Sequence, residues 1–125
     1  MSKPQGFPKS LRLRARKEID LVFRRGRYHR LGILQAKTMR TERKGSRFMV
    51  SVRKAVGNAP QRNRIKRVVR EAIRRNAPAL STSHDICLFM TSVPQQPVGL
   101  STVENEIRTL FNRLGPGAHD PQPVD

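Results

Sequence analysis

The segment from Arg62 to Asn76 constrains this chain more than any other. Ile65, Val68, Val69, Ala72 and Ile73 recur at i, i+3, i+4, i+7 and i+8, a spacing that gathers apolar side chains on one stripe of an α-helix. Around them stand Arg62, Arg64, Lys66, Arg67, Arg70, Arg74 and Arg75, with a single acid, Glu71. Such a helix must bury one face against a partner element and present the other to something that accepts dense positive charge. Glu71 lies four residues from both Arg67 and Arg75, so that row is partly compensated, whereas Arg62, Lys66, Arg70 and Arg74 form a row with no acid in it. Each adjacent like-charge pair in that row costs roughly 0.2–0.5 kcal/mol in an isolated helix. Arg62 and Arg64 also fall in the first turn, where the helix dipole favours anions. Stability alone does not select such a face. Contact with phosphates does, because backbone N–H groups and guanidinium forks then act on the same anions. Asn63 falls near Arg70 on this face and suits base edges or 2′-hydroxyls.

The charge of the whole chain agrees. Residues 1–75 carry 24 Lys/Arg against 4 Asp/Glu, and residues 76–125 carry 2 against 5. A segment of formal charge +20 thus adjoins one of −3, for a total of +17. A field this one-sided repels itself and implies a polyanionic partner. No stretch approaches the ~18 apolar residues of a membrane span, and residues 1–6 lack the apolar run of a secretory signal. With no Trp and one Tyr, the chain also lacks the bulky anchors of a membrane-surface helix. Cys87 stands alone, which excludes a disulfide framework and a thiolate metal site. The expected location is the cytoplasm.

Along the chain, residues 1–8 read as a loose arm, residues 9–114 as one domain and the Pro/Gly-rich residues 115–125 as a disordered tail. Ala15, Ile19, Val22 and Phe23 have helical spacing, with Gly26 placed to end that helix. Residues 32–41 read as a strand, Glu42 to Gly45 as a hairpin loop, and Phe48, Val50 and Val52 alternate as the next strand. Gly57 to Pro60 reads as a breaker followed by a helix start, with Pro60 tolerated in the first turn, and Pro78 stops that helix. Ile86, Leu88 and Met90 alternate as a further strand. Ser101 and Glu104 form a capping-box pattern ahead of a helix with Val103, Ile107, Leu110, Phe111 and Leu114 on one face. The order is α-β-β-α-β-α, with room for a short extra strand after Gly26. The class is α+β, an α/β sandwich of one mixed sheet with helices packed on it.

Catalytic constellations are not evident. His29, His84 and His119 are scattered, the nine acids show no cluster suited to a two-metal site, and no phosphate-cradling Gly-rich motif occurs. His84 beside Asp85 reads as a turn pair. The chain itself therefore carries no assigned catalytic residue.

The run from Ser51 to Ala72, SVRKAVGNAPQRNRIKRVVREA, resembles the signature of the bacterial ribonuclease P protein family. Arg62-Asn63-Arg64 matches that family's named motif, and Lys66-Arg67 with Arg70-Glu71 continues it. Arg12-Leu13, Val22-Phe23 and Gly26 extend the likeness over roughly residues 8–114. The resemblance implies a sheet flanked by helices with a left-handed βαβ crossover. It also implies an endoribonuclease that works as a ribonucleoprotein, removing the 5′ leader of precursor tRNA by Mg²⁺-dependent hydrolysis on the RNA subunit, with no protein motif binding the metal. Arg62, Asn63, Arg64, Lys66, Arg67, Arg70 and Arg74 would then bind the RNA subunit. Arg12, Ile19, Phe23 and Lys37 would line a cleft for the precursor tRNA 5′ leader. Ile19 stands where relatives often carry an aromatic residue and Lys37 where a Tyr can stand, which leaves Phe23 as stacking platform or, on its spacing, as a core residue of the first helix. No membrane and no obligate protein partner are expected. Two other readings fit the composition: a basic ribosomal or ribosome-assembly protein, and a DNA-binding module using the basic helix in a major groove.

Overall fold

A computed structural model describes residues 7–115. Most of the expected arm and tail, and His119, lie outside the described residues. The order is α1 (Arg16–Arg25), β1 (Arg27–Arg30), β2 (Gln35–Arg40), β3 (Arg47–Val52), α2 (Ala59–Asn76), β4 (His84–Met90) and α3 (Leu100–Leu114). The short strand for which the sequence left room after Gly26 is β1.

The sheet runs β1-β2-β4-β3. β4 pairs antiparallel with β2 through Ala36↔Leu88 and Thr38↔Ile86, and parallel with β3 through Phe48↔Ile86, Val50↔Leu88 and Val52↔Met90. The expected hairpin between β2 and β3 is therefore absent, because β4 lies between them. The physical reason is in β4 itself. His84 through Leu88 and Met90 are all buried, so β4 needs a helix on each face and a strand on each edge. The loop after β2, with Gly45 at φ 87°, is stitched to the approach to β4 instead. Gly45 N–H donates to Ser83 Oγ at 3.0 Å, and Ser46 Oγ donates to the Thr82 carbonyl at 3.1 Å.

Two apolar layers follow from the alternation of side chains along the strands. Leu34, Ala36, Phe48, Val52, Ile86, Leu88 and Met90 meet Ile65, Val69, Ala72 and Ile73 of α2 and Val103, Ile107, Leu110, Phe111 and Leu114 of α3. On the opposite face Cys87 packs with Val22 of α1 and with Leu13, flanked by Ile19, Phe23, Met39 and Met49. Burial pushes the Cys87 thiol up to about 12.

The helix ends correct two local readings. α2 starts at Ala59, with Pro60 in its first turn as expected, because Asn58 caps it, and Arg64 therefore falls in the second turn and not the first. Asn58 Oδ1 accepts from Gln61 N–H at 2.9 Å and Gln61 Oε1 accepts from Asn58 N–H at 2.8 Å, a reciprocal capping box. The Ser101–Glu104 box does not form: α3 begins at Leu100 after Gly99, with no side-chain cap. Glu104 turns inward instead, to Asn76 Nδ2 at 3.1 Å and to Arg75 Nε at 3.3 Å, joining α3 to the end of α2. Gly26 does end α1, in extended conformation (φ −72°). There a Cβ would collide with the Val22 carbonyl and stand 3.0 Å from that of Thr38.

Candidate RNA-binding surfaces

The polar face of α2 starts from its cap. Arg62 Nη1 donates to the Gly57 carbonyl at 2.6 Å, and Arg64 Nη2 to the Val98 carbonyl at 3.2 Å. Neutral carbonyls orient these guanidinium groups without cancelling their charge. Asn63, Arg64 and Arg67 are exposed and Lys66 is half-buried. Among the described residues, Lys66 and Arg67 have no ion-pair partner.

One feature of the acid-free row changes. Glu71 binds Arg74, with Nε at 3.0 Å and Nη2 at 2.7 Å, and this hydrogen bonding holds its carboxyl below the usual carboxylate range. Arg75 is drawn away to Glu104 of α3. Arg74 is thus compensated, and the uncompensated charge concentrates on the amino-terminal half of α2, from Arg62 to Arg70.

Arg70 leads to the second region. Burial, and then repulsion from Arg12, lowers its pKa below the ordinary guanidinium range. Arg12, Arg14 and Arg70 share with Phe7 and Met49 the lining of a cavity of about 140 Å³. The chain reaches this place because residues 12 and 13 run along the free edge of β3, with Leu13 N–H donating to the Phe48 carbonyl at 2.8 Å. Leu13 then packs in the α1 layer, while Arg12 turns to Phe7, donating to its carbonyl at 3.0 Å.

Ile19, Phe23 and Lys37 come together between α1 and the sheet. Phe23 meets Phe89 of β4 with ring centroids 5.5 Å apart and planes tilted by 50°. Lys37 Nζ donates to the Phe23 carbonyl at 2.9 Å, placing a cation on the carboxyl end of α1, where the helix dipole favours it. Phe23 and Lys37 are only partly buried, so each keeps some surface toward solvent. Arg12 does not join these three; it lies across β3, beside Arg70. Arg12 thus stands beside Arg70 of α2, while the next residue, Leu13, packs in the α1 layer.

Sequence reasoning missed the ion network that seats α1. Asp85, 4% exposed, accepts from Arg47 Nε at 3.1 Å and Nη2 at 3.0 Å, and from Arg43 Nη2 at 3.2 Å. Arg47 Nη1 reaches Glu18 of α1 at 3.1 Å. Hydrogen bonding to Arg47 holds the Glu18 carboxyl below its usual range. The signal in the sequence was a lone acid inside an apolar strand, which requires a cation nearby. His84, its neighbour, opens β4 with it, so the expected turn pair is instead the start of a strand; His84 contacts Thr82 Oγ1 at 3.2 Å. His29 is buried against Thr38 Oγ1 at 3.0 Å. Among the described residues no three His, Cys, Asp or Glu side chains group as a metal site, and no helix is long and apolar enough to cross a membrane.

Comparison with known proteins gives a consistent answer. The family model described as Ribonuclease P matches residues 7–115. The ribonuclease P protein component of Desulforapulum autotrophicum is 39% identical over 108 residues, covering 86% of this chain and 92% of that protein. That of Finegoldia magna is 44% identical over 83 residues, covering 65% and 71%. Among solved structures, the RNase P protein of Thermotoga maritima superposes with a TM-score of 0.72 at 26% identity, covering 84% of this chain and 98% of that one. The Staphylococcus aureus RNase P protein, at 22% identity and a TM-score of 0.70 over 83% and 94%, shares the fold. These similarities lend no support to the ribosomal reading. A family match spanning every described residue, with a ribonuclease P protein component 39% identical over most of both chains, places this chain in the bacterial ribonuclease P protein family.

Proposed function

We propose that this member of the ribonuclease P protein family acts in tRNA processing by binding two RNAs on adjoining surfaces. The amino-terminal half of α2 docks on the ribonuclease P RNA through Arg62, Asn63, Arg64, Lys66, Arg67 and Arg70, with Arg74 at the rim. The α1 cleft holds the single-stranded 5′ leader of precursor tRNA through Phe23, Ile19 and Lys37, and Arg12 links the two. Hydrolysis of the phosphodiester belongs to the RNA subunit and its Mg²⁺. The protein lowers the repulsion between two RNA backbones and positions the substrate. On this reading the chain works in the cytoplasm.

The observation that carries the reading is the uncompensated cation row on the first half of α2, ending at Arg70 beside Arg12. Guanidinium forks suit bidentate phosphate contact, and each contact displaces counterions from the RNA. Reconstitution tests it. The protein alone cleaves nothing, and added to its RNA it enhances 5′ maturation at low Mg²⁺. Arg62→Glu or Arg64→Glu weakens assembly, while Lys37→Glu weakens leader binding and leaves assembly nearly intact. Cleavage that is indifferent to the protein, or identical losses from both sets of variants, would refute the division of surfaces.

A further inference from the structure

The chain has one tyrosine, and the fold leaves it on the edge strand β1, on the face of the sheet that α1 covers. Tyr28 of β1 is 49% exposed. It stands opposite Lys37, which stands opposite Cys87, so all three side chains leave the sheet on the α1 side. The next row on that side holds Arg30, Gln35 and Phe89. Neither row contains an acid.

An exposed ring ordinarily exchanges rotamers, but this one is held at its tip. The Tyr28 hydroxyl donates to Gln35 Oε1 at 3.1 Å, and Gln35 Nε2 donates to Thr91 Oγ1 at 2.8 Å, beyond the end of β4. The two bonds run from the ring through β2 to the residue that follows β4 and leave its apolar area toward solvent. Lys37 lies across from it and Arg30 two residues along. An aromatic face fixed in place and flanked by cations is the arrangement that binds single-stranded nucleic acid, with the charges tracking the backbone and the ring stacking on a base.

The geometry points to Tyr28 as a base-stacking platform for single-stranded RNA, carrying the leader path outward from Phe23 past Lys37 to the β1 edge. This rests on the leader-cleft reading above. It supplies an aromatic surface that Ile19 and Lys37 do not. Because the hydroxyl is engaged with Gln35, the ring meets a base by its face and not through a hydrogen-bonding edge. The contact is therefore tolerant of sequence and favours the larger surface of purines.

The test uses the reconstituted holoenzyme with precursor tRNAs bearing a short or a long leader. Tyr28→Ser weakens binding of the long-leader substrate about tenfold, within the range for one base stacked on an aromatic side chain. It leaves short-leader substrate and RNA-subunit affinity unchanged. Tyr28→Phe, which keeps the ring, retains most of the long-leader affinity. With 2-aminopurine placed at successive leader positions, one position is quenched by the wild-type protein and by Tyr28→Phe but not by Tyr28→Ser. If Tyr28→Ser binds the long leader as the wild type does while Lys37→Glu does not, the platform is wrong and the cleft stands. Equal loss with both leaders overturns the platform in favour of a contact with the RNA subunit. If neither Tyr28→Ser nor Lys37→Glu depends on leader length, the cleft reading fails and the platform with it.

Discussion

Replacing Asp85 with Ala probes how α1, and with it the cleft, is fixed to the sheet. The carboxylate is 4% exposed and takes three guanidinium contacts between 3.0 and 3.2 Å. Removing one partner of a buried ion pair costs about 3–5 kcal/mol, because the remaining charge is left uncompensated. Two features put this case at the low end. Arg43 is 41% exposed, so water screens its share to nearly nothing. Arg47, 19% exposed, keeps Glu18 as an acceptor at 3.1 Å. The expected loss is therefore about 3 kcal/mol. At about 4 °C per kcal/mol for a domain slightly over 100 residues, that lowers Tm by about 12 °C. Urea unfolding followed by circular dichroism reads the loss directly, and a double-mutant cycle with Arg47→Ala isolates the pair, with a coupling of about 2 kcal/mol. An Asp85→Ala protein within about 0.5 kcal/mol of wild type, the range of ordinary surface changes, would refute the claim that this network secures α1.

Three further outcomes follow from the same structure. Glu106 accepts from the backbone N–H groups of Ile33 and Leu34 at 3.0 and 2.9 Å, so Glu106→Ala costs about 1–3 kcal/mol and speeds amide exchange at those two residues; unchanged exchange there would contradict the clamp. Cys87, 0% exposed with its thiol pushed up to about 12, resists alkylation at neutral pH until global unfolding, so its labelling rate tracks the denaturation midpoint. Labelling of the native protein at the rate of a free thiol would show the α1 layer to be open. Arg47 and Arg74 hold Glu18 and Glu71 below their ordinary value of 4.5. Their contribution to stability is complete above that pH and is lost as pH falls through the lowered values. Urea midpoints in Glu18→Gln and Glu71→Gln then vary less with pH below 4.5 than in wild type, and parallel curves would contradict the pairing.

Helices and core were legible because their signal is local. The stripes Ile65–Ile73 and Val103–Leu114 are written at 3.6-residue spacing, and both face the core. Strand order was not legible. Glu42 to Gly45 has the composition of a hairpin, and only the burial of β4 on both faces, a tertiary fact, separates β2 from β3. Ser101 and Glu104 fit a capping pattern, but Asn76 and Arg75 from another helix compete for Glu104 and win. The cation row of α2 was readable from spacing alone. Its interruption at Arg74 was not, since i+3 and i+4 partners are equally near on a helix and α3 decides the choice. Tyr28 left no mark in the sequence beyond its being the only tyrosine, because its position depends on the register of β1 against β2.

The central claim is that the first half of α2 grips ribonuclease P RNA through its phosphates. The direct measurement is the affinity of the intact protein for that RNA across a salt series, in wild type and in Lys66→Gln and Arg67→Gln. Each lost phosphate contact reduces the slope of log affinity against log salt by about 0.7–0.9, while Arg108→Gln, a change on α3, leaves it as it was. A slope that stays the same in both α2 variants would mean that the RNA is held elsewhere.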